Sequence, residues 1–391
     1  MTELACRART DRILPAGIDG WLVVAVVALT ALGVVMVASA SLHLGGARGA
    51  PFAYLEKHLL ALALGTAGAL LALRLPVAWL EKASPALYFF GLALLALVLV
   101  PGVGKTVNGA TRWVAVGGLN IQTSEFMKLF IVFYMAGYLV RRKVEVAHTL
   151  WGVVKPVMLV ALAAMLLMAQ PDFGTTVVLL ATVMGMLFLG GAPLWQFGAL
   201  FLLVLAGGAA LVVTSPYRLE RVTSFLDPWS DPLDSGYQLT QALIAFGRGE
   251  WTGVGLGNGI QKQFYLPEAH TDFIMAVIGE EFGLLGTLAV ILLFAVVVWR
   301  AFAVGAKAED AGNGYAAHVA WGIGLWLGLQ AFVNIGVNVG LLPTKGLTLP
   351  FVSYGSNSLI VSCVAVGVLL RIHWEACAEK GVAGGVPWRA S

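Results

Sequence analysis

The residues of this chain that could do chemistry gather where polar loops meet long apolar runs. The densest group lies in the segment 264–286, FYLPEAHTDFIMAVIGEEFGLLG: Asp272, with Glu268 and His270 before it and Glu280 and Glu281 after it. Pro267 cannot sit inside a helix and pushes Leu266 toward extended geometry. Thr271 is then the expected cap of the apolar run that follows, with Asp272 in the first helical turn at the membrane boundary. At about 100° per residue, Asp272, Ala276, Gly279 and Gly283 share a stripe of small residues, with Glu280 about 80° round from Asp272 and Glu281 nearly opposite. Such a stripe lets neighbouring helices approach and leaves room for a ligand. Acids in a membrane helix are costly and mark functional candidates. A carboxylate in a first turn also favours the helix start by itself, because it faces the positive end of the helix dipole. The residues alone leave both readings of Asp272 open.

Other polar groups recur at such boundaries. Ser124, a candidate cap, precedes Glu125 and Lys128, which are three apart and share a helical face. They read as an internal ion pair that could also hold a polar cavity open. Arg112, in NGATRW, falls near the same boundary, and Gln170, Pro171 and Asp172 form a turn that puts another acid at the head of an apolar run. Alone, Asp172 reads as a helix-capping acid. Gln330, Asn334 and Asn338 are spaced by four, a polar stripe that must face protein or water. In LLPTKGLTLPFVSYG (341–355), two prolines and two glycines predict a broken or re-entrant segment, tolerated where it lines a cavity. Lys345 within it either meets an anion or snorkels to the headgroups.

The elements that must position these residues follow from composition. The chain has 391 residues, 59% hydrophobic and 12% charged, with a mean hydropathy of +0.86. Soluble domains carry about 25% charge, so a polytopic membrane protein is expected. The net charge of +3 excludes little, and three scattered cysteines, Cys6, Cys363 and Cys377, suggest neither a disulfide framework nor a metal cluster. Arg7, Arg9 and Arg12 precede the first apolar run without a convincing cleavage site, which reads as an uncleaved first helix.

Runs able to span about 30 Å of hydrocarbon lie near 20–41, 58–73, 84–101, 124–141, 150–169, 173–191, 194–214, 271–300, 315–342 and 351–372, the second and sixth being short. The expectation is an all-α membrane domain over 1–391 with ten transmembrane helices. Ten spans put both ends on one side, as tails 1–19 and 373–391. With that side cytoplasmic, thirteen lysines and arginines lie inside against five in short outer loops, the bias of a cytoplasmic face. The long segment 215–270 is then extracytoplasmic, and Asp272 faces outward. Within it, Tyr237–Phe246 reads as a short apolar-faced helix covering the cavity. GVGLGNG (253–259) lacks the preceding strand and the lysine-serine ending of a phosphate loop and reads as a flexible turn.

Four separated motifs, NGATRWVAVGGLNIQTSEFMK (108–128), QPDFGTT (170–176), the loop through LPEAHTDF and LLPTKGLTLPFVSYG, together resemble the SEDS family of bacterial cell-wall polymerases over nearly the whole chain. The run 218–249, RLERVTSFLDPWSDPLDSGYQLTQALIAFGRG, is similar to the division member more than to the elongation member. The chain departs from the family pattern at Thr123, where proline is usual, and at Ser356 and Asn357, where a Gly-Ser pair is usual; neither change removes an ionisable group.

The resemblance implies that Asp272 is the catalytic residue, that the substrate is lipid II, and that Glu125, Lys128 and Asp172 match polar positions on which activity depends. Arg218 and Arg221 match basic positions before the division-type loop. A class B penicillin-binding transpeptidase (FtsI-like) and other division proteins are the partners it implies, in the bacterial plasma (inner) membrane at the septum; no nucleic acid is expected. The expected activity is an inverting polymerisation with Asp272 as general base. Lys128, Arg112, Arg218, Arg221 or a divalent cation, Mg²⁺ or Mn²⁺, would meet the leaving charge, and Lys345 is a further substrate-binding candidate. A flippase for a lipid-linked sugar also suits a polar cavity and broken helices. An elongation-type polymerase is a further alternative.

Overall fold

The computed structural model describes residues 18–383 except 48, 108, 109, 117, 118, 235 and 345; some further side chains, those of Arg218 and Arg221 among them, also lie outside the description. Three helices come first: α1 (Gly20–Ala47), α2 (Ala53–Arg74) and α3 (Val77–Val98). Three short strands follow, β1 (Gly104–Val107), β2 (Ala110–Val116) and β3 (Leu119–Gln122), in an antiparallel sheet of order β1-β2-β3. Then come α4 (Thr123–Arg141), α5 (Lys143–His148), α6 (Leu150–Ala169), α7 (Phe173–Leu189) and α8 (Leu194–Val213). The chain closes with α9 (Pro216–Leu226), α10 (Tyr237–Gly249), α11 (Ile274–Asp310), α12 (Gly314–Asn338) and α13 (Ser356–Ala383).

Eight of these helices, α1 to α4, α6 and α11 to α13, are long and apolar enough to cross a membrane, and α7 and α8 contain shorter apolar helices. The polytopic helical architecture is as expected, but α2 is a full 22 residues rather than short. The sheet was not foreseen. Its signal is the Asn108-Gly109 pair between strand-like runs, a hairpin dipeptide, and the strands on either side pair Val107 with Ala110. The expected tail 373–391 is helical as far as Ala383.

Burial separates centre from rim. The apolar stretch of α4 is 83% buried against 22% for α2, so α4 is enclosed by protein on all sides while α2 leaves most of its surface for lipid. α4, α7 and α12 pack on one another, and α11 packs on α12 and α1. One end of this bundle, the sheet end, collects the starts of α4, α7 and α11 and the end of α12.

Helix α11 is not continuous. Gly283 sits at φ 65°, ψ −159° and breaks it, so the expected stripe Asp272, Ala276, Gly279, Gly283 does not extend along one regular helix. Backbone groups freed inside a membrane need new partners, and the long loop supplies them. Leu284 N–H and Leu285 N–H donate to the carbonyls of Glu250 and Trp251, while Val254 N–H and Gly255 N–H donate to those of Glu280 and Glu281, at 2.9–3.1 Å. The Gly-rich run is therefore a packed crossing over the break and not a flexible turn. A Cβ on Gly253 would lie 2.1 Å from the Glu281 carbonyl oxygen. The expected loop helix is present as α10, seated against α11 where Gly249 meets the Gly279 backbone.

Candidate functional site

Asp272 lies in the turn just before α11, not in its first helical turn, and Thr271 does not cap the helix. The cause is Glu268, whose φ of 55° is in the left-handed region. Its carbonyl accepts the N–H groups of Thr271, Asp272 and Phe273 at 3.1–3.2 Å, and its backbone and carboxylate also accept the Thr271 hydroxyl, at 3.1 and 2.9 Å. The carbonyls of His270, Thr271 and Asp272 are held from elsewhere. Tyr354 N–H donates to His270 O at 2.9 Å, and the Ser353 hydroxyl donates to Thr271 O at 2.6 Å. Asp272 O accepts from Asn334 Nδ2 and Asn338 Nδ2, each at 2.9 Å. The half-buried Asp272 carboxylate faces Gly346, where a Cβ would come within 2.9 Å of Oδ2.

The charge pair of α4 joins the same network. Lys128 is 2% exposed; its ammonium donates to Glu125 Oε1 at 2.9 Å and to Gln330 Oε1 at 2.7 Å. Gln330 passes the connection on through Nε2 to Thr348 O at 2.9 Å, and Asn334 Nδ2 reaches Leu347 O at 2.6 Å. Three consecutive residues of the broken segment after α12 thus meet three parts of the site. Gly346 abuts Asp272, Leu347 packs on Gly174 at the head of α7, and Thr348 leads to Lys128. The stripe 330, 334, 338 is what ties them together, so the glue reading of these residues holds and the glue runs to Asp272.

Asp172 caps α7, accepting Thr175 N–H on Oδ1 at 3.4 Å. Arg112 of β2 approaches the same oxygen at 3.9 Å and donates to the carbonyls of Gln170 and Pro171, so the sheet clamps the turn. Asn357, one of the two family departures in 356–357, donates to Asn120 O at 2.8 Å and fastens β3 to the start of α13. The structure therefore joins Asp272, Glu125 and Lys128 in one network and sets Arg112 and Asp172 together; α7, which Asp172 caps, also packs on this network. Lys345 and the side chains of Arg218 and Arg221 lie outside the described residues; the backbone of the two arginines is in α9, which packs on α8. Glu125 Oε2, Asp172 Oδ2 and Asn334 Oδ1 are buried without a hydrogen-bond partner among the described residues.

Two further ion pairs escaped the sequence reading. Glu280 is fully buried and bound by Arg248 at 2.8 Å and by the N–H groups of Ile260 and Gln261. Glu281 is bound by Lys262 at 2.5 Å and by the Ser39 hydroxyl of α1. Adjacent acids in an apolar helix signalled that partners must exist; which loop cations supply them depends on the long-range fold. Among the described residues no group of three or more His, Cys, Asp or Glu could hold a metal ion.

The comparisons agree with this architecture. A protein from Allochromatium vinosum named probable peptidoglycan glycosyltransferase FtsW is 55% identical over 385 residues, covering 97% of this chain and 96% of that one. A solved chain from a peptidoglycan synthase complex that coordinates polymerization and crosslinking superposes with a TM-score of 0.76 at 32% identity, over 93% of this chain and 99% of that one. The rod shape determining protein RodA of Thermus thermophilus superposes with a TM-score of 0.68 at 30% identity, over 92% and 97% of the two chains. Residues 20–377 match the cell cycle protein family of FtsW, RodA and SpoVE. With the motifs, the family match and the solved relatives in agreement, the chain belongs to that family, the SEDS proteins, and is membrane-embedded.

Proposed function

We propose that this protein is a peptidoglycan glycosyltransferase of the division type, polymerising lipid II at the outer face of the bacterial plasma (inner) membrane, at the septum. The observation that carries the reading is the Asp272 corner: a carboxylate whose backbone is bonded on three consecutive carbonyls, set in a network with a buried Glu-Lys pair. Fixed geometry of this kind is what general-base catalysis needs. Asp272 takes the proton of an acceptor sugar hydroxyl as its oxygen attacks the anomeric carbon of the donor. The bond from that carbon to the lipid pyrophosphate breaks, the configuration inverts, and undecaprenyl pyrophosphate leaves. Arg112, Arg218, Arg221 and Lys345 are the cations proposed to meet the leaving charge, with Glu125, Lys128 and Asp172 lining the substrate cavity.

A protein-built metal cage does not fit the described residues. A Mg²⁺ or Mn²⁺ ion would draw its ligands mainly from the substrate's pyrophosphate and water, as Mg²⁺ commonly does, and no step of the proposed reaction passes through it. A class B transpeptidase (FtsI-like) is the proposed partner, supported by the solved relative's place in a complex of polymerisation and crosslinking. Both termini are proposed to be cytoplasmic, on the lysine and arginine bias.

The test is purified full-length protein, alone and with that transpeptidase, given lipid II in liposomes. Glycan strands are the expected product. Lipid II that changes leaflet without forming polymer would instead support the flippase, to which the broken helices also lend themselves.

A further inference from the structure

Helix α11 begins without a side-chain cap of its own, although the turn just before it carries the residue on which the proposed chemistry rests. A side-chain partner for its first turn, beside the bond from Ala276 N–H to Phe273 O at 3.0 Å, comes from another helix. Asn338, fully buried at the last position of α12, accepts Ala276 N–H on Oδ1 at 3.0 Å. Its amide nitrogen donates one hydrogen to Asp272 O and the other to Asn334 O, both at 2.9 Å. A side-chain amide offers two donors and an acceptor, and all three functions are engaged here. Asn334, one turn earlier, repeats the contact to Asp272 O.

We propose that Asn338 is a positioning residue for catalysis: it caps α11 from α12 and, through the Asp272 carbonyl, fixes where the Asp272 carboxylate stands. This rests on the reading of Asp272 as the base. A plain interhelical bond would serve any two points along α11 and α12; this one falls on the peptide of the reacting residue itself, and a second asparagine duplicates it. The amide cannot be exchanged for a carboxylate without loss. Asn338→Asp keeps the size and the acceptor for Ala276 N–H but removes the donor to Asp272, so it separates capping from positioning.

The test compares full-length Asn338→Ala and Asn338→Asp with the parent in lipid II polymerisation. The expected result for both is a kcat lower by about 10²-fold, the loss that a displacement of about 1 Å brings, with KM changed less than about twofold. A parental kcat in Asn338→Asp overturns the inference, as does a change confined to KM. If neither variant folds, the residue belongs to the fold rather than to positioning, and the inference also fails. A parental rate in Asp272→Asn would sink the reading of the base instead, so the two failures are distinguishable.

Discussion

Two sets of buried acids in this molecule are treated oppositely. Glu280 and Glu281, beside the break in α11, have all four carboxylate oxygens occupied by Arg248, Lys262, Ser39 and backbone N–H groups of the loop. Glu125 and Asp172, at the heads of α4 and α7, each keep one buried oxygen without a partner among the described residues. Buried polar atoms are normally satisfied, and exceptions call for a cause. The first pair fastens the long loop across a broken helix, with every oxygen already held by the protein. The second set, on helices that pack on the network of Asp272, retains acceptor capacity of the sort that hydroxyls of a sugar or ordered water would fill. Saturation therefore separates the acids that hold the fold from those proposed to serve the reaction.

This comparison can be broken at several points. The largest expected effect on stability is at the saturated pair: Glu281→Ala strands Lys262, which is 5% exposed, and breaking a buried pair from one side costs about 3–5 kcal/mol. A melting curve in detergent would show a large fall, and an unchanged melting temperature would remove the fastening role. At the unsaturated set the larger effect falls on rate: Glu125→Gln leaves Lys128 without its charge partner but still bonded to Gln330. Polymerisation is expected to drop more than tenfold, about 1.4 kcal/mol or more in barrier, with a smaller shift in melting than Glu281→Ala gives. The opposite ordering of the two variants would reverse the assignment. The smallest effect belongs to Glu145, a half-exposed residue held by the exposed Lys155 and Arg142, whose hydrogen bonds keep its carboxyl below the usual carboxylate range. Exposed pairs contribute little, so Glu145→Ala is expected to leave both melting and polymerisation unchanged.

Much of this site was legible because membrane segments make polar residues conspicuous. The four-residue spacing of Gln330, Asn334 and Asn338 predicts one face, and that face meets Asp272 and Lys128. The three-residue spacing of Glu125 and Lys128 likewise gives their pair. What escaped depends on contacts that spacing does not carry. The left-handed Glu268 moves Asp272 out of the helix, the break at Gly283 exists because the loop crosses there, and Lys262 finds Glu281 across 19 residues of chain. The sheet is a different kind of miss: Asn108-Gly109 between β-branched and aromatic residues is a local hairpin signal, overshadowed by the apolar runs on either side.

The most direct test of the account is Asp272→Asn, which keeps size and the backbone bonds to Asn334 and Asn338 while removing basicity. General-base assistance contributes about 10²–10⁴-fold in rate. Purified full-length Asp272→Asn is therefore expected to melt near the parent and bind lipid II, yet make almost no glycan. Strands of parental length and rate from this variant would contradict the account.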